Sequence, residues 1–418
     1  MLLQHAVAQD EPSKASGVGM VDMNPASMFL MNLASGTSAN PAGWPMPMIM
    51  RHFGNWNTMF MGLGFLSDIQ QSGPRGGDTL YSTNWLMASA EHRVGKNGAF
   101  EAVLMLSLEP AMVADRRYPL LFQTGETAYG VPLVDGQHPH NFIMAAGLHY
   151  VHQLAEDTML DLYVAPVGDP ALGPVAFPHR ASAEELPQAP ITHHWQDSTH
   201  IADDVVTAGV QYRKLKLEAS GFYGSEPGEN RWMIQQGPIN SWSGRLWFFP
   251  SKYWAAQVSG GRLTHPEALE PGDQTRVTAS VEYTRPMPGG SWASTLSWGR
   301  IHSTATQRNM NSYLAESVVP LTRKNFITGR FELVDKDDLF ADDLELEQHL
   351  DVLYGSTFRI GAYTLGYTRD IDVFRFVETG IGANVSLYSL PAAIKPYYGG
   401  HPAGGNIFIR FRLRRPES

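Results

Sequence analysis

The histidines of this chain lie close together, in a pattern that is typical of metal ligands. Eight of the 15 histidines fall between residues 138 and 200. His138 and His140, and likewise His194 and His200, keep an even spacing, so each pair faces one way in an extended chain. Imidazole is a common ligand for Zn and Cu. The sequence therefore predicts a zinc or copper site from these side chains: His138, His140, His193, His194, His200 and Asp197.

The same segment allows two other interpretations. Prolines in residues 169–180 and 185–194 fix the backbone direction, which favours a structural loop held by hydrogen bonds between its side chains. Ser198 with Asp197 and a neighbouring histidine has the composition of a hydrolase triad, but triads assemble in space and no nucleophile-elbow string accompanies these residues. We therefore favour a protein that is not an enzyme and keep a lipase-like hydrolase as the alternative.

Methionines gather near the start of the chain, nine of them between residues 20 and 61. Met46, Met48 and Met50 alternate, and thioethers facing one way select soft ions such as Cu(I). Methionine also fills irregular gaps, so an apolar strand face or a plug in a lumen explains it equally well. Both interpretations remain open at this stage.

Composition narrows the class of protein. The 418 residues contain no cysteine, which excludes disulfides, thiolate metal sites and a cysteine nucleophile. The net charge of -10 argues against a nucleic-acid partner. The longest stretch without charges, residues 23–50, is interrupted by prolines and asparagines, so no transmembrane helix is predicted. Residues 6–8 read Ala-Val-Ala, as at a signal-peptidase site, but the basic and long apolar regions that should precede such a site are missing. Residues 1–8 are therefore either the remnant of a signal peptide or a chance match.

Apolar and polar residues alternate along most of the chain, as they do in strands with one apolar face and one polar face that contacts water. In residues 276–284, for example, Val277, Val281 and Tyr283 oppose Arg276 and Glu282. Strands are predicted at 46–53, 55–68, 80–93, 98–110, 140–154, 157–168, 205–213, 215–226, 240–250, 252–264, 274–286, 291–304, 311–322, 324–337, 355–370, 373–388 and 403–414.

Short and long connections alternate between these strands, as they do in outer-membrane barrels with periplasmic turns and outer loops. Seventeen strands is an odd number, whereas single-chain bacterial barrels are even-numbered. We therefore predict an all-β, up-and-down antiparallel transmembrane barrel of about 18 strands, with an additional strand near residues 27–33. The alternative is 16 strands, with the methionine-rich start lying in the lumen.

The pattern of residues 46–414 resembles that of porin-like bacterial outer-membrane β-barrels, whose uncharacterised members have strings similar to GQHPHNF, DPALGPVAFPHR and ITHHWQDSTH. The resemblance implies the fold and a bacterial outer-membrane location, without a known activity. Tryptophans near strand ends fit interfacial girdles. These are Trp85, Trp242, Trp247, Trp254, Trp292 and Trp298.

The predicted function is a channel that passes small polar solutes, with a link to copper or zinc. A barrel of this size encloses an aqueous lumen, and charged rows on its wall filter solutes or brace one another. The predicted inward charges are Arg213, Arg276, Arg330, Arg410, Arg412, Glu101, Glu218, Glu282 and Glu332. A structural surface barrel with a closed lumen is a further alternative.

The predicted organisation has two parts after the signal remnant. Residues 9–45 form a methionine-rich segment that is either the first strand or a lumen plug, and residues 46–418 form the barrel, with long loops at 111–139 and 169–204 constricting the outer mouth. The expected partners are outer-membrane lipid and small polar solutes, and not nucleic acid. Self-association into a homo-oligomer is left open by the sequence.

Overall fold

The computed structural model describes residues 23–269, 271–354, 357–371 and 373–413, so the predicted signal remnant lies outside the described residues. Strands dominate these ranges. The strands are β1 Ile49–Phe53, β2 Trp56–Gln71, β3 Gly77–Val94, β4 Gly98–Leu106, β5 Tyr118–Ala128, β6 Val131–Gln137, β7 Ile143–Ala155, β8 Thr158–Gly168, β9 Ala202–Tyr212, β10 Leu215–Tyr223, β11 Ser241–Ser251, β12 Trp254–Leu263, β13 Gln274–Met287, β14 Gly290–Ser303, β15 Asn309–Thr322, β16 Asn325–Lys336, β17 Phe358–Asp370, β18 Val377–Ser389 and β19 Ala403–Leu413. The helices are α1 Pro25–Leu30, α2 Glu109–Met112, α3 His193–Gln196, α4 Leu344–Tyr354 and α5 Lys395–Tyr398.

Strands β2–β4 and β7–β19 form one closed antiparallel sheet. Each of these strands pairs with the one that follows it in the chain, except that β4 pairs with β7 because β5 and β6 lie outside the sheet. Closure comes from β19 pairing with β2, from Gly404 opposite Gln71 to Arg412 opposite Leu63. The barrel therefore has 16 strands. The prediction of an all-β, up-and-down antiparallel barrel is confirmed with the alternative count of 16 strands, and the count of 18 is wrong.

The count of 18 fails because of two segments near the start. Residues 25–30 are helix α1 and not a strand, since Asn24 caps the helix by accepting a 2.8 Å hydrogen bond from the Ser27 N–H and Pro25 occupies the first turn. The predicted strand at 46–53 is the short strand β1, which pairs only with the first part of β2. Its five residues are fewer than the nine to eleven that a membrane-spanning strand requires.

The two faces of the barrel wall differ as the alternation predicts. On β13, Arg276, Thr278 and Glu282 are buried inside, while the intervening Val281 is 41% exposed on the outside. The outer face carries an apolar band suited to lipid. Its exposed members include Leu217, Leu246, Phe248, Val258, Val281, Leu296, Leu365, Val385 and Ile407. No helix of the described ranges is both long and apolar enough to span a bilayer.

Turns at one end of the barrel are short, and the connections at the other end are mostly long. The predicted long loop at 69–79 is an exception, because β2 and β3 extend further than predicted and leave only residues 72–76 between them. Residues 107–142 contain α2 and the hairpin β5–β6, which forms a sheet of its own. At this loop end Tyr81 stacks on Tyr118 and Phe122 stacks on Tyr398, with ring centroids 4.1 and 4.4 Å apart.

The tryptophan girdle is only partly as predicted. Trp242, Trp254 and Trp292 are exposed on the outer face. Trp85 and Trp247 face inward instead, where the Trp247 indole N–H donates to Glu218 at 2.9 Å. A strand-end tryptophan faces lipid or lumen according to the parity of its position, so proximity to a strand end does not decide its direction.

Candidate functional site: the occupied lumen

The connection between β8 and β9, residues 169–201, folds into the barrel, and nearly all of its side chains are buried. On one side it contacts the wall formed by β3. The Trp85 indole donates to the carbonyl of Pro178 at 3.1 Å, and the Thr83 hydroxyl donates to the carbonyl of Pro187 at 3.1 Å. We call residues 169–201 the lumen loop.

The opposite wall holds the lumen loop by a buried chain of charges. The Arg180 guanidinium of the loop donates to Glu316 on β15 at 2.6 Å, and Arg330 on β16 donates to the second oxygen of the same carboxylate at 2.9 Å. Arg180 also contacts Asp197 within the loop at 3.1 Å. Thr192 donates to Glu332 on β16 through its backbone N–H and its hydroxyl, each at 3.1 Å.

A second cluster joins the lumen loop to β18 and β19. Arg410 contacts Glu185 of the loop, Asp370 and Glu378, the last at 2.6 Å. Arg412 contacts Glu184 of the loop at 2.7 Å and also binds Glu378. The lumen loop therefore crosses the interior from β3 to β15 and β16 and is fastened at both sides.

The segment before β1 also occupies the interior. The Asn24 amide donates to the carbonyl of Gly98, and the Ser27 hydroxyl donates to the inward carboxylate of Glu91. Further along, Lys216 on β10 donates to the carbonyl of Thr37 at 2.9 Å. Helix α1 contacts β3, β4 and β7. Residues 24–48 thus line the inner wall, next to the lumen loop.

The predicted inward charges lie on the inner wall with one exception. Glu218 is bound by Arg245 at 2.7 Å and by Lys216 at 2.9 Å. Arg213 is not in the lumen, because β9 ends at Tyr212 and Arg213 lies in the turn with φ 54° and a side chain that is 65% exposed. The eight that are buried inside the barrel are Arg276, Arg330, Arg410, Arg412, Glu101, Glu218, Glu282 and Glu332.

The five predicted histidine ligands form one continuous row of rings, three from the lumen loop and two from the end of residues 107–142. Successive ring centroids in the order His138, His194, His193, His200, His140 are 5.6, 5.2, 5.3 and 5.4 Å apart. This row joins residues of two different loops, which sequence spacing alone does not establish.

Most rings of this row use Nδ1 for a hydrogen bond to an oxygen, which leaves Nε2 as the ligand atom. His140 Nδ1 lies 2.8 Å from Glu109, His193 Nδ1 lies 2.7 Å from Asp197, and His200 Nδ1 lies 2.8 Å from the Asp197 carbonyl. Burial lowers the pKa of His138 to about 3 and places the pKa values of His194 and His200 well below the usual range. The rings of His138, His194 and His200 are therefore neutral at pH 7, as metal ligands must be.

Only one trio of His, Asp or Glu ligand atoms within the described ranges lies within 4.8 Å of one another: His194, Glu226 and Glu267. His194 fits there because Gly125, with φ 115°, has no side chain; a Cβ would lie 2.5 Å from the ring. Neither glutamate was predicted from the sequence, because the two lie in two other loops. Asp197, a predicted ligand, is bound by Arg180 and His193 instead.

The triad that Ser198 suggested is not assembled. Its hydroxyl donates to Glu226 at 3.1 Å and accepts from the Arg276 guanidinium at 2.5 Å. His200 is turned toward the backbone of Asp197. Within the described residues, no hydrogen bond joins Ser198 to a histidine, so the lipase-like alternative loses the observation that suggested it.

The predicted methionine ligands divide into two groups. Met46 and Met48 lie inside the barrel against inward methionines of β2 and β3. Met50 belongs to β1, where it pairs with Met59.

Acidic side chains surround a cavity of about 270 Å³ among the loops. Arg308 is the basic residue in its lining. The acidic residues are Glu126, Glu267, Asp337, Asp338 and Glu347. We call this cavity the acidic vestibule.

Comparison with known proteins gives matches among solved structures. The anion-selective porin from Comamonas acidovorans matches with a TM-score of 0.54 and 10% identity, over 86% of this chain and all of that one. The Salmonella typhi OmpF complex with daunomycin matches with a TM-score of 0.52 and 8% identity, over 87% of this chain and all of that one. The chain has the fold of a bacterial outer-membrane porin. This fold agrees with the predicted outer-membrane location. No protein-family model and no curated protein matches the chain.

Proposed function

We propose that the protein is a narrow outer-membrane channel for small polar solutes, in which the lumen loop sets the width of the passage. The observation that carries the proposal is the fastening of this loop at both sides of a polar interior, by hydrogen bonds to β3 and by the charges around Glu316 and Arg410. A barrel of 16 strands has room for an aqueous channel, so an inserted and fixed loop restricts it without closing the sheet.

The acidic vestibule gives the proposed channel a preference for cations. Five carboxyl groups and one guanidinium line it, and clefts of one charge sign raise the local concentration of the opposite ion. Burial and the neighbouring Asp338 raise the pKa of Asp337 to about 7. Asp337 is therefore protonated below that pH and negative above it, so the preference for cations increases as the pH rises from about 6 to about 8.

Planar-bilayer recordings of the full chain across a KCl gradient test this proposal. We expect small single-channel steps and a reversal potential that favours K⁺, more strongly at pH 8 than at pH 6. Asp337→Asn combined with Asp338→Asn should reduce both the selectivity and its pH dependence. Asp157→Asn, at an exposed turn on the other end, is the matched control and should change neither. Membranes that show no single-channel current, or a reversal potential that favours Cl⁻, would exclude the proposed channel.

Divalent-metal binding at the loop end is a second proposal, supported by the meeting of His194, Glu226 and Glu267. One neutral imidazole and two carboxylates form a ligand set that suits Zn²⁺. Calorimetric titration with Zn²⁺ should show one site that Glu226→Gln weakens by at least about tenfold. His349→Gln, an exposed histidine on α4, is the control. Equal affinity in Glu226→Gln and the unmutated protein contradicts this site.

A further inference from the structure

Three adjacent strands place methionines side by side on the inner wall. Met61 on β2 pairs with Met87 on β3, and Met87 pairs with Met105 on β4. All three residues are buried and at most 7% exposed. Directly opposed side chains on neighbouring strands have Cβ atoms about 4.5–5.5 Å apart, so their thioethers reach one another. Inner walls of such barrels are usually polar, which makes an apolar row here unusual.

The inserted segment covers this row with more methionines. Met31, Met46 and Met48 face it, and Met59 lies two residues before Met61 on the same face of β2. A cavity of about 30 Å³ remains where these seven side chains meet. A space of this size holds one water molecule or one ion. Methionine that serves only as a gap filler should leave no such space at its centre.

The same cavity is lined by a buried carboxyl group that has no ion-pair partner. Glu101 is 4% exposed, and within the described ranges no arginine or lysine lies within 4.0 Å of its carboxylate. Its cross-strand neighbours are Glu91 on β3 and His149 on β7. Glu91 accepts hydrogen bonds from the Ser27 hydroxyl and the Asn57 amide, and Asp161 is compensated by Lys216 at 2.9 Å. Burial without a partner cation disfavours the charged form of Glu101, so a cation bound beside it would stabilise the carboxylate and be balanced by it.

We propose that this methionine cavity binds one soft monovalent cation of the Cu(I) or Ag(I) class, with thioethers as ligands and Glu101 as the balancing charge. Thioethers select soft ions over Mg²⁺ or Ca²⁺, which require oxygen ligands. This site is separate from the trio at His194 and does not depend on conduction, since an ion binds in the cavity whether or not the lumen is open. A silent bilayer recording therefore leaves this inference standing.

Titration of the full chain with Ag⁺, in detergent and without chloride, tests the site. Silver is chosen because it needs no reductant. We expect one Ag⁺ per chain, bound at least about tenfold more weakly by the double variant Met61→Leu, Met87→Leu and also by Glu101→Gln. Leucine replaces methionine with little change in volume, so the barrel should still fold and keep its heat-modifiable migration on a gel.

The control pair is Met233→Leu with Met287→Leu, two exposed methionines that do not line the cavity. It should leave Ag⁺ affinity unchanged. X-ray absorption at the silver edge should show sulfur in the first coordination shell of the unmutated protein and its loss in the cavity variant. The inference is overturned if Ag⁺ does not bind, if the cavity variant binds it as tightly as the unmutated protein, or if the control pair weakens binding equally.

Discussion

Replacing residues 174–198 by a short glycine-serine turn should raise the single-channel conductance severalfold. The lumen loop crosses the interior between β3 and β15, so its removal leaves the open cross-section of a 16-stranded barrel. The barrel should tolerate the change, because Gly168 and Ala202 are direct partners at the ends of β8 and β9 and a tight turn can join them. Water entering the widened lumen then solvates Glu316, Arg330 and Arg410 in place of their loop partners.

Planar-bilayer recordings of this shortened chain provide the measurement. A deletion of residues 352–354, the exposed end of α4, is the control, since these residues are not among those that line the acidic vestibule. The control should conduct as the unmutated protein does. If the chain lacking residues 174–198 conducts no better than the control, while both migrate as folded barrels, the lumen loop does not limit the passage.

Arg410→Leu should destabilise the barrel by about 3–5 kcal/mol, because it removes one of the two cations of a buried charge cluster and leaves Arg412 as the other. Arg410 is fully buried and contacts Glu185, Asp370 and Glu378 together. Leucine cannot donate hydrogen bonds to these carboxyl groups. The loss is large compared with the total stability of an ordinary domain, about 5–15 kcal/mol.

Denaturant unfolding in micelles, followed by tryptophan fluorescence, measures this loss. Arg213→Leu is the matched control, since its ion pair with Asp157 lies on the surface, where such pairs contribute about 0–1 kcal/mol. The shift in midpoint for Arg410→Leu should clearly exceed that for Arg213→Leu. Equal shifts for the two variants would show that the Arg410 cluster is not the buried bridge described above.

The strands were predictable because apolar and polar residues alternate along each of them. A strand with one face toward water and one apolar face requires that pattern. Residues 274–286 were predicted as a strand, and β13 spans Gln274–Met287. The error in strand number came from counting residues 46–53 as a spanning strand and then adding a strand near residues 27–33 to reach an even number. Asn24 followed by Pro25 is a helix start that the sequence did contain, and it predicts α1.

The site was less predictable, because its members come from loops that meet only in three dimensions. The five predicted histidines do form a row, but Glu226 and Glu267, which converge on His194, lie in other loops whose path no local pattern specifies. Arg213 shows a related error: its parity matches an inward position, yet β9 ends one residue earlier. The methionine row depends on the register between β2, β3 and β4, which the sequence alone does not give.

The central claim is that lipid contacts one side of each strand and the lumen contacts the other. The chain has no cysteine, so single cysteines can be introduced and labelled one at a time along residues 277–281 of β13. A fluorophore at Val277, Ala279 or Val281 should be quenched by lipids with brominated chains, and one at Thr278 or Ser280 should not. Quenching without this two-residue period, or strongest at Thr278 and Ser280, would contradict the barrel described here.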